Sequence, residues 1–284
     1  MISNKELISM AGNRILTIQD ISCVGQCSLT VALPIISACG IECAVLPSAV
    51  LSTHTAGFTG FTVRDLTDDI PAIAEHWRKE NIDFSAIYTG YLGSTLQIDM
   101  VANIFATLCP QGKKIVDPAM ADNGKLYPAF NQDYVEAMKT LCGKADYLLP
   151  NITESCFLTG VEYRTEYDRA YIDSLLAGMT ALGAKNVILT GVSYRPGKTG
   201  VVVFENGVYA YYEHDLLPNS CHGTGDIYAS AFVGALMRGK TAFEAAKIAA
   251  DYTVSCIEAT ADDKSHWYGA KFEPALPKLI DALK

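Results

Sequence analysis

The chain has 284 residues, half of them hydrophobic, with a net charge of −9 and a pI near 5.0. That is ample apolar material for a large core, and no block of Lys or Arg stands out, which excludes the electrostatic footprint of a nucleic-acid binder. Nine cysteines without CxxC or metal-type spacing cannot all pair with one another, so they read as reduced, mostly buried thiols of a cytoplasmic protein.

At the start, Lys5 and Glu6 precede only a short apolar stretch and Arg14 interrupts the next, so no secretory signal is evident. Residues 15–18 form a short buried strand. Residues 29–39 read as a helix stopped by Gly40, and 43–46 as a second strand; Pro34, Glu42 and Pro47 break this apolar region into helix, turn and strand instead of a membrane span. Ile70, Ile73, Ala74 and Trp77 recur at helical spacing within a predicted helix over 66–80. Strands at 86–88, 114–116, 147–149 and 186–189 then alternate with helices at 96–108, 134–141 and 169–182. Residues 201–204 and 208–211 flank Asn206-Gly207, a strong hairpin signal. Two long helices start at Asp226 and Thr241, and a last one covers 276–283. Alternating strands and helices predict an α/β fold: a three-layer α/β/α sandwich with a mainly parallel central sheet and an antiparallel edge hairpin. No linker, repeat or low-complexity tract divides it, so residues 1–284 are expected to form one domain.

In open α/β sheets ligands bind beyond the carboxyl ends of the strands. Polar clusters fall there after successive strands: Gln19-Asp20, Ser52-Thr53-His54-Thr55, Thr89-Gly90-Tyr91, Asp117-Pro118 with Asp122-Asn123-Gly124, Asn151-Ile152-Thr153-Glu154, and Thr190-Gly191. The most specific run is His222-Gly223-Thr224-Gly225-Asp226, which opens an apolar helix. Its glycines let the backbone turn tightly, its N–H groups at a helix N-terminus favour an anion, and Asp226 beside them can take a proton from an alcohol. The competing reading makes Asp226 only a helix cap. Asn151 and Glu154 likewise fit either a capping box or a carboxylate that holds Mg²⁺ directly or through water. His54, Tyr91, Cys27 and Cys221 each have a plain structural alternative. Gly197-Lys198-Thr199 imitates the end of a P-loop, but its first glycine is misplaced and a strand follows where a helix is required. A dinucleotide fingerprint is missing after the first strand.

Together these residues resemble the ribokinase superfamily, on Gly223-Thr224-Gly225-Asp226 and Asn151-x-x-Glu154, and within it the pyridoxal kinases, on residues 16–19 with Gly25, residues 52–55, residues 89–91 and residues 117–122. The resemblance runs from Arg14 to the C-terminus. It implies a ribokinase-like fold, with Asp226 as the base acting on the 5′-hydroxymethyl group of pyridoxal and the N–H groups of Gly223, Thr224 and Gly225 around the transferring phosphoryl. It implies Asp117 and Glu154 at the metal, and Asp122, Asn151, Thr190, Gly191 and Thr224 around the nucleotide. Asp20, Ser52, His54, Thr55 and Tyr91 would surround the pyridine ring, and residues 120–127 would form a mobile flap. ATP, Mg²⁺ and a B6 vitamer (pyridoxal, pyridoxine or pyridoxamine) are the implied ligands, with room for a monovalent cation, and a homodimer is the implied assembly.

The departures gather in the vitamer pocket. Asp20 stands where the family usually has Ser, Thr53 where it has Asn, and Leu149 where Thr often precedes Pro-Asn. Ser can donate a hydrogen bond and an ionised Asp can only accept. The acceptor therefore stays open at this stage: a B6 vitamer, hydroxymethylpyrimidine or another small alcohol, or a vitamer bound without catalysis.

Overall fold

The computed structural model describes residues 14–218 and 221–284; the stretch with Lys5 and Glu6 lies outside the described residues. Chain order gives β1 (Arg14–Ser22), α1 (Leu29–Ala38), β2 (Glu42–Leu51), β3 (Val63–Asp65), α2 (Ile70–Lys79), β4 (Ala86–Thr89), α3 (Thr95–Leu108) and β5 (Lys113–Val116). A small hairpin follows, β6 (Ala121–Asp122) and β7 (Lys125–Leu126), then α4 (Gln132–Cys142), β8 (Tyr147–Leu148), α5 (Ile152–Thr159) and α6 (Arg169–Ala181). The last part holds β9 (Asn186–Val192), β10 (Lys198–Glu205), β11 (Val208–Asp215), α7 (Thr224–Met237), α8 (Ala242–Thr260) and α9 (Leu276–Ala282).

Nine strands make one sheet in the order β11-β10-β9-β8-β5-β4-β1-β2-β3. The strands from β9 through β2 pair in parallel, and β10 and β11 add an antiparallel pair at one edge. The turn between them is Asn206-Gly207, both at positive φ, as a two-residue turn with right-handed strand twist requires. The opposite edge is also antiparallel, through β3, which three exposed residues made illegible as a strand.

Strand alternation splits the interior into two cores. Leu16, Ile18, Ile87, Val116, Leu148 and Leu189 face the layer of α2 to α6. Ile15, Ala86, Tyr88, Ile115, Ile188 and Val203 face the layer of α1, α7, α8 and α9. Side chains on successive strand residues point to opposite faces, and both faces here are covered, so the strands read as continuous apolar runs.

The predicted elements lie where expected, with shifted ends. The helix expected from residue 66 begins at Ile70, because 66–69 form a turn. β1 extends through Ser22 and so contains Gln19 and Asp20 at its carboxyl end. From β1 the chain moves to β2 on one side and later to β4 on the other, and this reversal opens a crevice at the carboxyl ends of β1 and β4. No described helix is long and apolar enough to cross a membrane, and all nine cysteines are free thiols.

Candidate active site

The helix α7 starts differently from the capping reading of Asp226. Its N-cap is Gly223, at φ 77°, with no side-chain cap; Asp226 sits three residues further in. Gly223 is required twice over: by its positive φ, and because a Cβ there would lie 1.7 Å from the Gln26 carbonyl oxygen. Gly225 is exposed and a Cβ on it would meet nothing within 4 Å, which leaves room for an anion at the start of α7.

Asp226 Oδ2 accepts a hydrogen bond from the Ser28 backbone N–H at 3.0 Å. The side chain is partly accessible but crowded by protein. Removal from water pushes its carboxyl up to about 6; the Ser28 N–H works against this and the charge of Asp20 adds to it. A carboxylate with such a raised value suits a general base near neutral pH.

Asp117, just past β5, lies near both Asp226 and Glu154, the latter in the first turn of α5. Burial holds the Asp117 carboxyl well above the usual range, and the charges of Glu154 and Asp226 push the same way. Burial also raises Glu154, against hydrogen bonds from backbone N–H groups that favour its charged form. A set of acidic oxygens that repel one another fits a hard divalent cation. Among the described residues no group of three His, Cys, Asp or Glu forms a complete metal site, so water and phosphate oxygens would have to finish the shell.

The capping box at Asn151 is present. Asn151 Oδ1 accepts from the Glu154 N–H at 2.9 Å, and Glu154 Oε2 accepts from the Asn151 N–H at 2.9 Å. The other oxygen, Oε1, accepts from the Met120 N–H at 3.0 Å. This motif therefore also anchors the β6–β7 hairpin, the expected flap. Asn151 Nδ2 donates to the Ala121 carbonyl at 2.9 Å, and the Gly124 N–H donates to Thr153 Oγ1 at 3.0 Å. Thr190 pairs with Asn151 in a parallel bridge, and its N–H donates to the Pro150 carbonyl at 3.0 Å, placing Thr190 and Gly191 beside the same helix start. Asp122 is exposed in the hairpin, where its Oδ2 accepts from Asn123 Nδ2.

On the other side of Asp226 are the residues expected around a ring. Asp20 is 4% exposed and accepts from the Ser22 and Ser28 hydroxyls. Tyr91 is near enough to Asp20 for that charge to raise its phenol, after burial, and its ring lies 5.3 Å from Phe130. His54 has both nitrogens engaged by backbone: Nε2 donates to the Tyr268 carbonyl at 2.6 Å and Nδ1 accepts from the Ala56 N–H at 3.1 Å. These bonds select a neutral ring, burial lowers its pKa, and only its face is left for a ligand. Ser52 and Thr55 are exposed, and the Ser52 hydroxyl accepts from the Thr62 N–H, tying down its own loop. Gln19 Oε1, in β1, and Thr89 Oγ1, at the end of β4, are buried without hydrogen-bond partners among the described residues. Ser22 and Ser28 carry no motif and were missed in the sequence; they could have been found only by asking what satisfies a buried Asp20.

A pyridoxal kinase of Dictyostelium discoideum is 27% identical over 247 residues, covering 80% of each chain. The crystal structure of a pyridoxal kinase from Lactobacillus plantarum superposes with a TM-score of 0.87 at 31% identity, covering 95% of this chain and 97% of that one. A candidate phosphomethylpyrimidine kinase from Bacteroides thetaiotaomicron, in a crystal form with pyridoxal, superposes with a TM-score of 0.88 at 35% identity, covering 94% and 95%. The family model for phosphomethylpyrimidine kinase matches residues 33–270, and this chain belongs to that family.

Proposed function

We propose that this protein transfers the γ-phosphoryl group of ATP to the 5′-hydroxymethyl group of pyridoxal or a related B6 vitamer, giving pyridoxal 5′-phosphate. The observation that carries this reading is Asp226: it does not cap its helix, it sits beside an accessible helix N-terminus, and its carboxylate is held from outside by the Ser28 N–H. A protein that only bound the vitamer would need no such base. The names of the relatives support pyridoxal as the acceptor.

In the proposed reaction the alcohol proton passes to the Asp226 carboxylate as the alcohol oxygen bonds to the γ-phosphorus. The bond from that phosphorus to the bridging oxygen breaks, and ADP leaves with the electron pair. Asp226 then returns the proton to solvent. The N–H groups of Gly223, Thr224 and Gly225 stabilise the charge on the moving phosphoryl; one such donor is worth about 3–4 kcal/mol in comparable sites. Mg²⁺, when bound, would neutralise phosphate charge, with Asp117 and Glu154 holding it in part through water. Asp122, Asn151, Thr190 and Gly191 would line the nucleotide side. Asp20, His54 and Tyr91 would wall the acceptor side, with Ser52 and Thr55 at its exposed rim.

Hydroxymethylpyrimidine is the second acceptor reading, favoured by the description of the matching family model. The test is ADP release in Mg-ATP with and without pyridoxal. Pyridoxal-dependent ADP formation supports the kinase; ADP formation that ignores every acceptor overturns it. Sedimentation of the purified protein tests the implied homodimer.

A further inference from the structure

The residue before α1 behaves unlike an ordinary helix cap. Ser28 occupies the N-cap position, where a serine oxygen usually accepts from its own helix, yet it makes no such bond. It is held at φ 55°, a left-handed conformation that costs a non-glycine residue about 1–3 kcal/mol. Its hydroxyl instead donates to Asp20 Oδ1 at 2.6 Å, and its N–H donates to Asp226 Oδ2 at 3.0 Å.

The surroundings keep this arrangement in place. The Ser22 hydroxyl donates to the other Asp20 oxygen at 3.0 Å. Ile21 and Ser28 form an antiparallel bridge, and Thr30 Oγ1 donates to the carbonyl of Cys27 at 2.8 Å. Residues 23–27 thus form a closed loop whose Gln26 carbonyl abuts Gly223. Asp20 lies in β1 at an irregularity, where the register with β2 shifts between Gln19 and Ile21.

We propose that Asp20 is a positioning residue that works through Ser28: its carboxylate holds the Ser28 hydroxyl, so that the strained Ser28 backbone presents its N–H to Asp226 and fixes the direction of that side chain. This rests on the reading of Asp226 as the base. It gives a physical reason for an aspartate at this place in the chain. Both Asp20 oxygens are occupied by hydroxyl donors, and its burial is compensated by those bonds. The task of Asp20 is to aim the base from the wall of the acceptor side.

The test is steady-state kinetics, with pyridoxal and Mg-ATP, of Asp20→Ala, Asp20→Asn, Ser28→Ala and Asp226→Asn. Asp20→Ala removes the acceptor and Ser28→Ala removes the donor; each should lower kcat about 10–100-fold, the cost of a misplaced reacting group, and leave the pyridoxal KM within about twofold. Asp20→Asn keeps an acceptor oxygen for Ser28 and should restore most of the kcat lost in Asp20→Ala. The Asp20→Ala and Ser28→Ala effects should be far from additive in the double variant, since both break one link. A raised pyridoxal KM in both Asp20 variants with Ser28→Ala unaffected would assign Asp20 to the ring and overturn the proposal. Wild-type kcat in Ser28→Ala would overturn it as well, and serves if Asp20→Ala does not fold. Wild-type turnover in Asp226→Asn would instead remove the base reading on which it rests.

Discussion

Replacing Asp226 with Asn should make the protein more stable while it destroys turnover. In the ligand-free fold the Asp226 carboxyl is raised from 3.8 to about 6, chiefly by removal from water. The folded state therefore binds this proton more tightly than the unfolded chain, so stability falls as pH rises from below 4 through 6. At about 1.4 kcal/mol per pH unit, the ionised carboxylate costs about 3 kcal/mol at pH 8 and about 1 kcal/mol at pH 4.5. Partial exposure of the side chain screens the field, so these are upper bounds. Asparagine keeps an oxygen to accept the Ser28 N–H and carries no charge. Urea unfolding of the ligand-free proteins should place the variant midpoint above wild type at pH 8, with the gap closing toward pH 4.5. Turnover should fall about 10²–10⁴-fold, the contribution of a positioned base. A variant less stable than wild type at pH 8, or a gap independent of pH, would refute the view that Asp226 is held ionised against the preference of the fold.

Two further outcomes follow from the same geometry. Gly223→Ala should lose both stability, by at least about 1–3 kcal/mol, and activity, because φ 77° is strained for alanine and the new Cβ would strike the Gln26 carbonyl; unchanged unfolding and kinetics would contradict that placement. Glu154→Gln should raise the Mg²⁺ concentration needed for half-maximal turnover; an unchanged Mg²⁺ titration would leave Glu154 only its capping and flap-anchoring bonds.

Much of the architecture was legible because its signals are local. Alternating apolar runs and helical stripes gave the sheet and layers, and Asn206-Gly207 gave the hairpin. The strand β3 carries no such signal: all three of its residues are exposed, and it exists only because β2 offers an edge. The site divides in the same way. The glycine run before Asp226 and the Asn151-x-x-Glu154 spacing stand within a few residues of what they act on. The bond from Ser28 to Asp226 joins positions 198 residues apart, and neither partner announces the other. His54 was legible as a polar residue at a strand end, but its two backbone partners, Tyr268 from the far end of the chain and Ala56, appear only once the loops are folded.

The central claim is tested most directly by one incubation of the wild-type protein with Mg-ATP and equal amounts of pyridoxal, pyridoxine, pyridoxamine, hydroxymethylpyrimidine and ribose, with products read by mass. Phosphorylated B6 vitamers, pyridoxal 5′-phosphate among them, should form together with matching ADP. Phosphorylated hydroxymethylpyrimidine alone, or no phosphorylated product at all, would contradict the account.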